Sequence, residues 1–346
     1  MHSATDIPLL TGQSQEQPVE TATHPVVGLY QDLLALAKVR LTAMVVVTTV
    51  VGYVTGADGH IHLGTLALAS AGTWLIAGSA AALNQVFEIR PDGLMLRTRN
   101  RPLPAGRMLP STAVIFALFT FVAGMAVLYC GTNQLTALLG LLNLILYIFI
   151  YTPLKRLSTI NTLVGAICGA IPPIMGFTAA AGHIALPAVI LGLLLFVWQI
   201  PHFLALAWMY RDDYAHGGFR MLSVVDTSGR VTCAMMILYS ALLIPVAAAA
   251  WFFGFAGMWF GFSAILLGGA MVWLSAKMRR QKSRENARRV FLASVIYLPL
   301  ILTLLMADLR HRPVGPQDVI IAAPNTGMAP AAITPAAPKP VPRTAR

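Results

Sequence analysis

Charge is scarce in this sequence: only 11% of its 346 residues are Asp, Glu, Lys or Arg, while 57% are hydrophobic. A water-soluble globular chain carries about 25% charged residues, so a soluble enzyme is excluded. Cysteine is scarce as well. Cys130, Cys168 and Cys233 stand singly in apolar surroundings without a CxxC pair, which excludes a disulfide framework and a thiolate zinc site and leaves them as packing residues. Acidic residues number 13 against 24 basic ones, a formal net charge of +11. In a soluble protein that excess would point to nucleic acid. Here the basic residues are confined to particular connections, and no nucleic-acid partner is expected.

Long apolar runs are what the chain has in quantity. A helix needs about 20 apolar residues to cross a bilayer core, and nine such runs centre on Val46, Leu75, Leu118, Ile145, Ala170, Leu194, Leu242, Ile265 and Leu298. The fold class expected is therefore all-α, a polytopic membrane protein with nine transmembrane helices. The connections after the first, third, fifth and seventh runs contain no Lys or Arg. The others hold Lys38 and Arg40, then Arg90, Arg97, Arg99, Arg101 and Arg107, then Lys155 and Arg156, then Arg211, Arg220 and Arg230, and last the cluster Lys277 to Arg289. Positive residues are retained in the cytoplasm during insertion, so the N terminus is expected inside and the C terminus outside. Arg310, Arg312, Lys339, Arg343 and Arg346 fall outside in this scheme, in a tail where the rule weakens.

The membrane domain is expected over residues 35–309. Residues 1–34 read as a disordered cytoplasmic tail and the Pro/Ala-rich residues 310–346 as a second disordered tail. The first 30 residues carry no Lys or Arg, so neither a cleaved secretory signal nor a mitochondrial presequence is expected.

Ionisable groups at the ends of spans are costly and mark function. After the second run comes Asn84-Gln-Val-Phe-Glu88-Ile-Arg90-Pro91-Asp92, followed by Arg97, Arg99, Arg101 and Arg107. Asn84 and Glu88 lie one helical turn apart on a shared face. Pro91 disfavours helix at Arg90 and Pro-Asp-Gly reads as a turn, so Asp92 is expected to fold back beside Glu88 from a bend. Two carboxylates and an amide oxygen suit Mg²⁺, which keeps places for substrate phosphates, and the arginines suit phosphate oxygens. The bland alternative is a charged loop that only anchors the helix.

Asn143, Tyr147, Tyr151 and Lys155 recur every fourth residue, one slowly turning face that ends with an ammonium at the inner side. Packing against a neighbouring helix through hydrogen bonds would explain the same stripe. At the end of the sixth run, Asp212 and Asp213 could hold a second cation or simply be a solvated helix end. His202 sits within that run after Pro201, where the missing N–H opens the helix; substrate contact and a structural role both stand.

Asn84-x-x-x-Glu88-x-x-x-Asp92, then Arg97-Thr-Arg-Asn-Arg-Pro-Leu-Pro-Ala-Gly-Arg107, resembles the UbiA superfamily of intramembrane prenyltransferases. Tyr151-Thr-Pro-Leu-Lys155 matches the superfamily's Tyr-x-x-x-Lys element. Pro201-His202-Phe203 and Tyr210-Arg211-Asp212-Asp213-Tyr214 are similar to the branch that farnesylates haem. The likeness spans about residues 35–308. Two departures stand out: Glu88 replaces the commoner Asp, and no second Asp-x-x-x-Asp exists, because His216 and Gly217 follow Asp212 and Asp213 at that spacing.

The resemblance implies nine helices around a central cavity, a Mg²⁺ requirement, and transfer of farnesyl from farnesyl diphosphate to the 2-vinyl group of haem B, giving haem O. It implies metal binding by Glu88, Asp92 and one of Asp212 and Asp213, with Asn84 auxiliary. Diphosphate contacts would come from Arg97, Arg101, Tyr151, Lys155 and Arg211, and haem contact from His202 by iron or propionate. It further implies a bacterial inner membrane location, with haem A synthase or terminal oxidase assembly downstream. A prenyltransferase acting on an aromatic or quinone precursor is an alternative. So is a transporter, although a transporter's ionisable residues gather at the bilayer midplane, and these gather at the inner ends.

Overall fold

The computed structural model describes residues 25–310 and 318–322. Among them nine helices are long and apolar enough to cross a membrane, one for each apolar run. After a first helix α1 (Pro25–Leu36) come α2 (Val39–Gly56) and α3 (Leu63–Phe87). A short α4 (Ile89–Leu94) leads through the arginine-rich loop to α5 (Pro110–Gly131). Then follow α6 (Gln134–Leu157), α7 (Asn161–Ala181), α8 (Leu186–Met209) and the short α9 (Arg211–His216). A single turn, α10 (Leu222–Val225), precedes α11 (Arg230–Phe252), α12 (Met258–Arg280) and α13 (Arg284–Ala307).

Helices are the natural solution here because hydrocarbon offers the backbone no hydrogen-bond partners, and a helix satisfies its own. The lipid-side faces carry large apolar side chains: Ile115, Phe119 and Val122 on α5 are exposed, as are Phe262, Leu266 and Trp273 on α12. The main helix pairs are α2 on α7, α3 on α5, α7 on α8 and α11 on α12, with α8 also against α11 and α13. All three cysteines are free thiols, Cys168 and Cys233 buried.

Close approach between α2 and α7 depends on two glycines. A Cβ on Gly176 would sit 1.9 Å from the Thr49 carbonyl oxygen, and one on Gly52 at 1.9 Å from that of Pro173. These neighbours are backbone atoms and cannot swing aside. Gly176→Ala is therefore expected to push α2 off α7 and lower stability by at least about 1–3 kcal/mol, the usual cost of overpacking. Thermal unfolding in detergent measures it, and an unchanged midpoint would contradict this account of the contact.

The structure corrects three expectations. Residues 25–34 belong to α1 rather than to a tail: Leu36 is fully buried, Gln85 Nε2 donates to the Leu36 carbonyl at 2.7 Å, and Arg107 pairs with Asp32 at 2.9 Å. The far tail is ordered at Val319–Ala322, which pairs as an antiparallel strand (β2) with β1 (His183–Ala185). That pairing places the segment after α13 on the same side as the α7–α8 connection, as alternation of odd spans requires. Residues 1–24, 311–317 and 323–346 lie outside the described residues, and so does the disorder expected for them.

The third correction concerns Pro-Asp-Gly, which is not a turn. Arg90, Pro91 and Asp92 lie inside α4, a new helix that begins at Glu88 (φ −104°, ψ 13°). The first amides of a helix have no partner within it, so Pro91, in the first turn, costs α4 nothing. The bend falls at Glu88, one turn earlier than expected.

α6 changes pitch midway. Leu146–Tyr151 is π-helical, and Thr152 N–H bonds to the Tyr147 carbonyl, five residues back. Pro153 follows, where a regular α-helix would meet a steric conflict with the preceding turn. The widened turn has a second effect. Residues spaced by four drift around a regular α-helix, and the π turn reduces that drift for Asn143, Tyr147, Tyr151 and Lys155.

A cavity with a charged mouth

A cavity of about 310 Å³ opens among α2, α3, α6, α7 and α8. Its walls are mostly apolar (Val45, Ile76, Leu144, Pro172 and Met175), while one end carries the charge. The helices deliver that charge from separate parts of the sequence. α3 supplies Asn84 and ends at Glu88, and α4 turns Asp92 back so that its N–H bonds to the Glu88 carbonyl at 2.8 Å. Lys155 comes from the last turn of α6. The loop after α4 supplies Arg97 and Arg101, and Lys38 precedes α2.

The carboxylates are buried, Glu88 to 5% and Asp92 to 1% exposure, and buried charges require partners. Lys155 Nζ donates to Glu88 Oε1 at 2.7 Å, and Arg101 Nη1 to Asp92 Oδ2 at 2.6 Å. Lys155 also lies 4.6 Å from the centre of the Tyr151 ring. Arg97 stacks over Tyr210 and Tyr214 and donates to the Tyr214 hydroxyl at 3.1 Å. A backbone bond from Arg220 N–H to the Lys155 carbonyl, 2.8 Å long, clasps the α9–α10 loop to the end of α6.

Lys38 is a member of this cluster that sequence reading assigned only to a cytoplasmic loop. Its backbone is left-handed (φ +48°, ψ +51°), a conformation side chains other than Gly rarely adopt and one that clusters at functional sites. There the side chain reaches the cavity and donates to Asn84 Oδ1 at 2.9 Å, while Asn84 Nδ2 donates to Thr152 Oγ1 at 3.1 Å. Burial, then the neighbouring charges of Arg101 and Lys155, pull the Lys38 amine down to about 7. Arg97, Arg101 and Lys155, with Lys38 about half protonated near neutral pH, thus face two carboxylates among the lining residues, an excess that attracts an anion.

The donor set suits a hard divalent cation. Among the described residues, Glu88 Oε2 and Asp92 Oδ1 accept no protein hydrogen bond, which leaves lone pairs of both carboxylates for a metal; Mg²⁺ takes one or two carboxylates and completes its shell with phosphate and water. Asn84 is less available, because its oxygen already accepts from Lys38. Among the described residues, no group of three or more His, Cys, Asp or Glu comes together.

The structure gathers Asn84, Glu88, Asp92, Arg97, Arg101, Tyr151 and Lys155 around one cavity. Other expected site residues lie apart from it. Asp212 is exposed and Asp213 half-buried on α9, and neither lines the cavity. Arg211 stacks on Trp208 at 5.0 Å. α8 presents Gln199 and Phe203 to the cavity but turns His202 toward α13. His202 Nδ1 meets Ser294 Oγ at 2.9 Å, and its ring lies between Trp198 and Phe291, with centroids at 5.0 and 4.9 Å.

The profile of the UbiA prenyltransferase family matches residues 45–296. "Protoheme IX farnesyltransferase" of Koribacter versatilis is 38% identical over 305 residues, covering 85% of this chain and 98% of that protein. The protein of the same name from Anaeromyxobacter is 42% identical over 280 residues, covering 81% and 94%. The human mitochondrial protein is 41% identical over 287 residues, covering 83% of this chain and 63% of its own length. Among solved structures, a digeranylgeranylglyceryl phosphate synthase shares the fold with a TM-score of 0.69 at 15% identity, covering 81% of this chain and 98% of that one. A UbiA homologue from Archaeoglobus fulgidus, bound to GPP and Mg²⁺, does so at 0.56 and 12%, covering 80% and 99%.

Proposed function

Because this chain belongs to the UbiA prenyltransferase family, we propose that it transfers the farnesyl group of farnesyl diphosphate to the 2-vinyl group of haem B. Haem O and diphosphate are the products. The observation that carries this reading is the meeting of Glu88 and Asp92 with Lys38, Arg101 and Lys155 at the mouth of an otherwise greasy cavity. Relatives that share the sequence over most of its length bear the name of that activity.

The diphosphate binds at the charged mouth, with Lys155, Arg101 and Arg97 on its oxygens, and the isoprenoid chain lies along the apolar walls. Glu88 and Asp92 would hold Mg²⁺, which when bound would neutralise charge on the leaving group. As the allylic C–O bond breaks, its electron pair goes to the diphosphate oxygen, and the cations stabilise the charge that develops there. Apolar walls keep water from the allylic carbon. The vinyl π electrons then form the new C–C bond, and a water oxygen adds to the cationic carbon left beside the porphyrin, with loss of a proton. Asn84, fixed by Lys38 and Thr152, holds the wall next to Glu88 in place. The N terminus and the charged mouth face the cytoplasm, where diphosphate is released. Haem O then passes to haem A synthase or to a terminal oxidase in assembly.

His202 serves haem capture. Ser294 fixes its ring through Nδ1, an arrangement typical of ligating imidazoles, and among the described residues Nε2 carries no protein hydrogen bond. His202→Ala is expected to weaken haem binding about tenfold or more in an absorbance titration of the purified protein; unchanged affinity would remove this role.

The test of the reading as a whole is incubation of membranes containing the chain with haem B, farnesyl diphosphate and Mg²⁺, followed by mass analysis. Haem O is expected, and its absence, with prenylation of a quinone precursor instead, would overturn the assignment.

A further inference from the structure

Among the described residues, two polar atoms on the cavity wall away from the charged mouth have no protein partner. Thr73 Oγ1, on α3, belongs to a residue only 3% exposed, and Asn143 Oδ1, on α6, is also buried. Both residues line the same cavity as Glu88 and Lys155. A threonine in a helix ordinarily satisfies its hydroxyl on a carbonyl one turn back, as Thr49, Thr55 and Thr120 do here. Thr73 forgoes that bond. At an α-helical rise of about 1.5 Å per residue, Thr73 lies roughly 16 Å from Asn84 along α3, and Asn143 lies 12 residues before Lys155 on α6. Ile76 and Met175 close the wall nearby: an added Cβ on Gly140, on α6, would touch both, at 3.0 and 3.2 Å.

We propose that Thr73 and Asn143 form a hydrated stop that sets the length of the prenyl chain this enzyme accepts. The inference rests on the reading in the preceding subsection and adds the selection of the donor substrate. With diphosphate at the charged mouth, the isoprenoid runs up the apolar walls toward these two residues. Water hydrogen-bonded to the Asn143 oxygen and the Thr73 hydroxyl satisfies both atoms while a chain ends short of them. A geranylgeranyl chain, one isoprene unit longer, displaces that water and buries both atoms against hydrocarbon. A polar group stripped of its hydrogen bond in this way is costly, whereas a purely apolar end wall would discriminate weakly against extra carbons. The selectivity therefore lies in polarity as well as volume.

The test is a competition. Membranes containing the full chain receive haem B, Mg²⁺ and equal farnesyl and geranylgeranyl diphosphates, and the two prenylated haems are counted by mass. The unmodified chain is expected to make the farnesylated product almost alone. Asn143→Leu and the isosteric Thr73→Val should each raise the geranylgeranyl fraction about tenfold, the size expected when one unsatisfied polar group is removed. Unchanged ratios in both variants would overturn the proposal, and so would loss of both products in both variants. Failure of the unmodified chain to prenylate haem is a separate result, because it removes the underlying activity before any ratio can be read.

Discussion

Asp92→Asn is expected to slow farnesyl transfer by about 10²–10³-fold, the range for removing one preorganised electrostatic contact from a transition state, with Glu88→Gln close behind. The argument starts from burial. Asp92 is 1% exposed and its one engaged oxygen accepts from Arg101 at 2.6 Å. An amide of the same shape keeps that acceptor, so packing around α4 survives. What it loses is the negative charge that would help hold Mg²⁺ against the diphosphate. Arg101, 29% exposed at the side chain, is left partly solvated, which limits the cost to folding. The variant should therefore insert, purify and unfold much as the parent does, while its initial rate of haem O formation collapses and its Mg²⁺ requirement rises. Glu88→Gln differs in one respect: its partner Lys155 is only 10% exposed, so some loss of stability should accompany the loss of rate. Normal rates in both variants would mean that the carboxylates serve structure alone.

The nine spans were readable in the sequence because hydrocarbon leaves the chain little choice. The candidate site was readable where its residues were near one another: Asn84, Glu88 and Asp92 share a few turns, and the stripe ending at Lys155 follows helix geometry. Lys38 was not readable. It meets Asn84 across 46 residues of sequence, and a lysine at the inner end of a first span is already accounted for by insertion. His202 shows another limit. Spacing says that Gln199, His202 and Phe203 lie on neighbouring parts of α8, but the rotation that gives the cavity Gln199 and Phe203, and gives His202 to Ser294, is set by packing against α13. The short ordered pieces, α1 and β2, escaped notice for a related reason. Each is held by a few contacts to a distant element, Gln85 for α1 and β1 for β2, and neither carries a long apolar run.

Lys155→Met should affect stability and catalysis together, and a second substitution should separate the two. Lys155 and Glu88 form a pair with side chains 10% and 7% exposed and 2.7 Å between charged atoms. Removing the ammonium strands a carboxylate inside the protein, which costs about 3–5 kcal/mol when a buried pair is broken. An exposed pair would lose less than about 1 kcal/mol. The same substitution takes a cation from the leaving diphosphate, so turnover should fall by about 10²-fold or more. Adding Glu88→Gln to Lys155→Met removes the stranded charge. The double variant should recover most of the lost stability, because a neutral pair of similar size can replace a buried ion pair with little penalty, and yet stay inactive. Unfolding midpoints in detergent and rates of diphosphate release, measured on the parent, the two single variants and the double variant, form a complete cycle. If the stability losses of the single variants simply add in the double variant, Lys155 and Glu88 are not coupled, and the charged mouth is not the preorganised diphosphate site on which the mechanism depends.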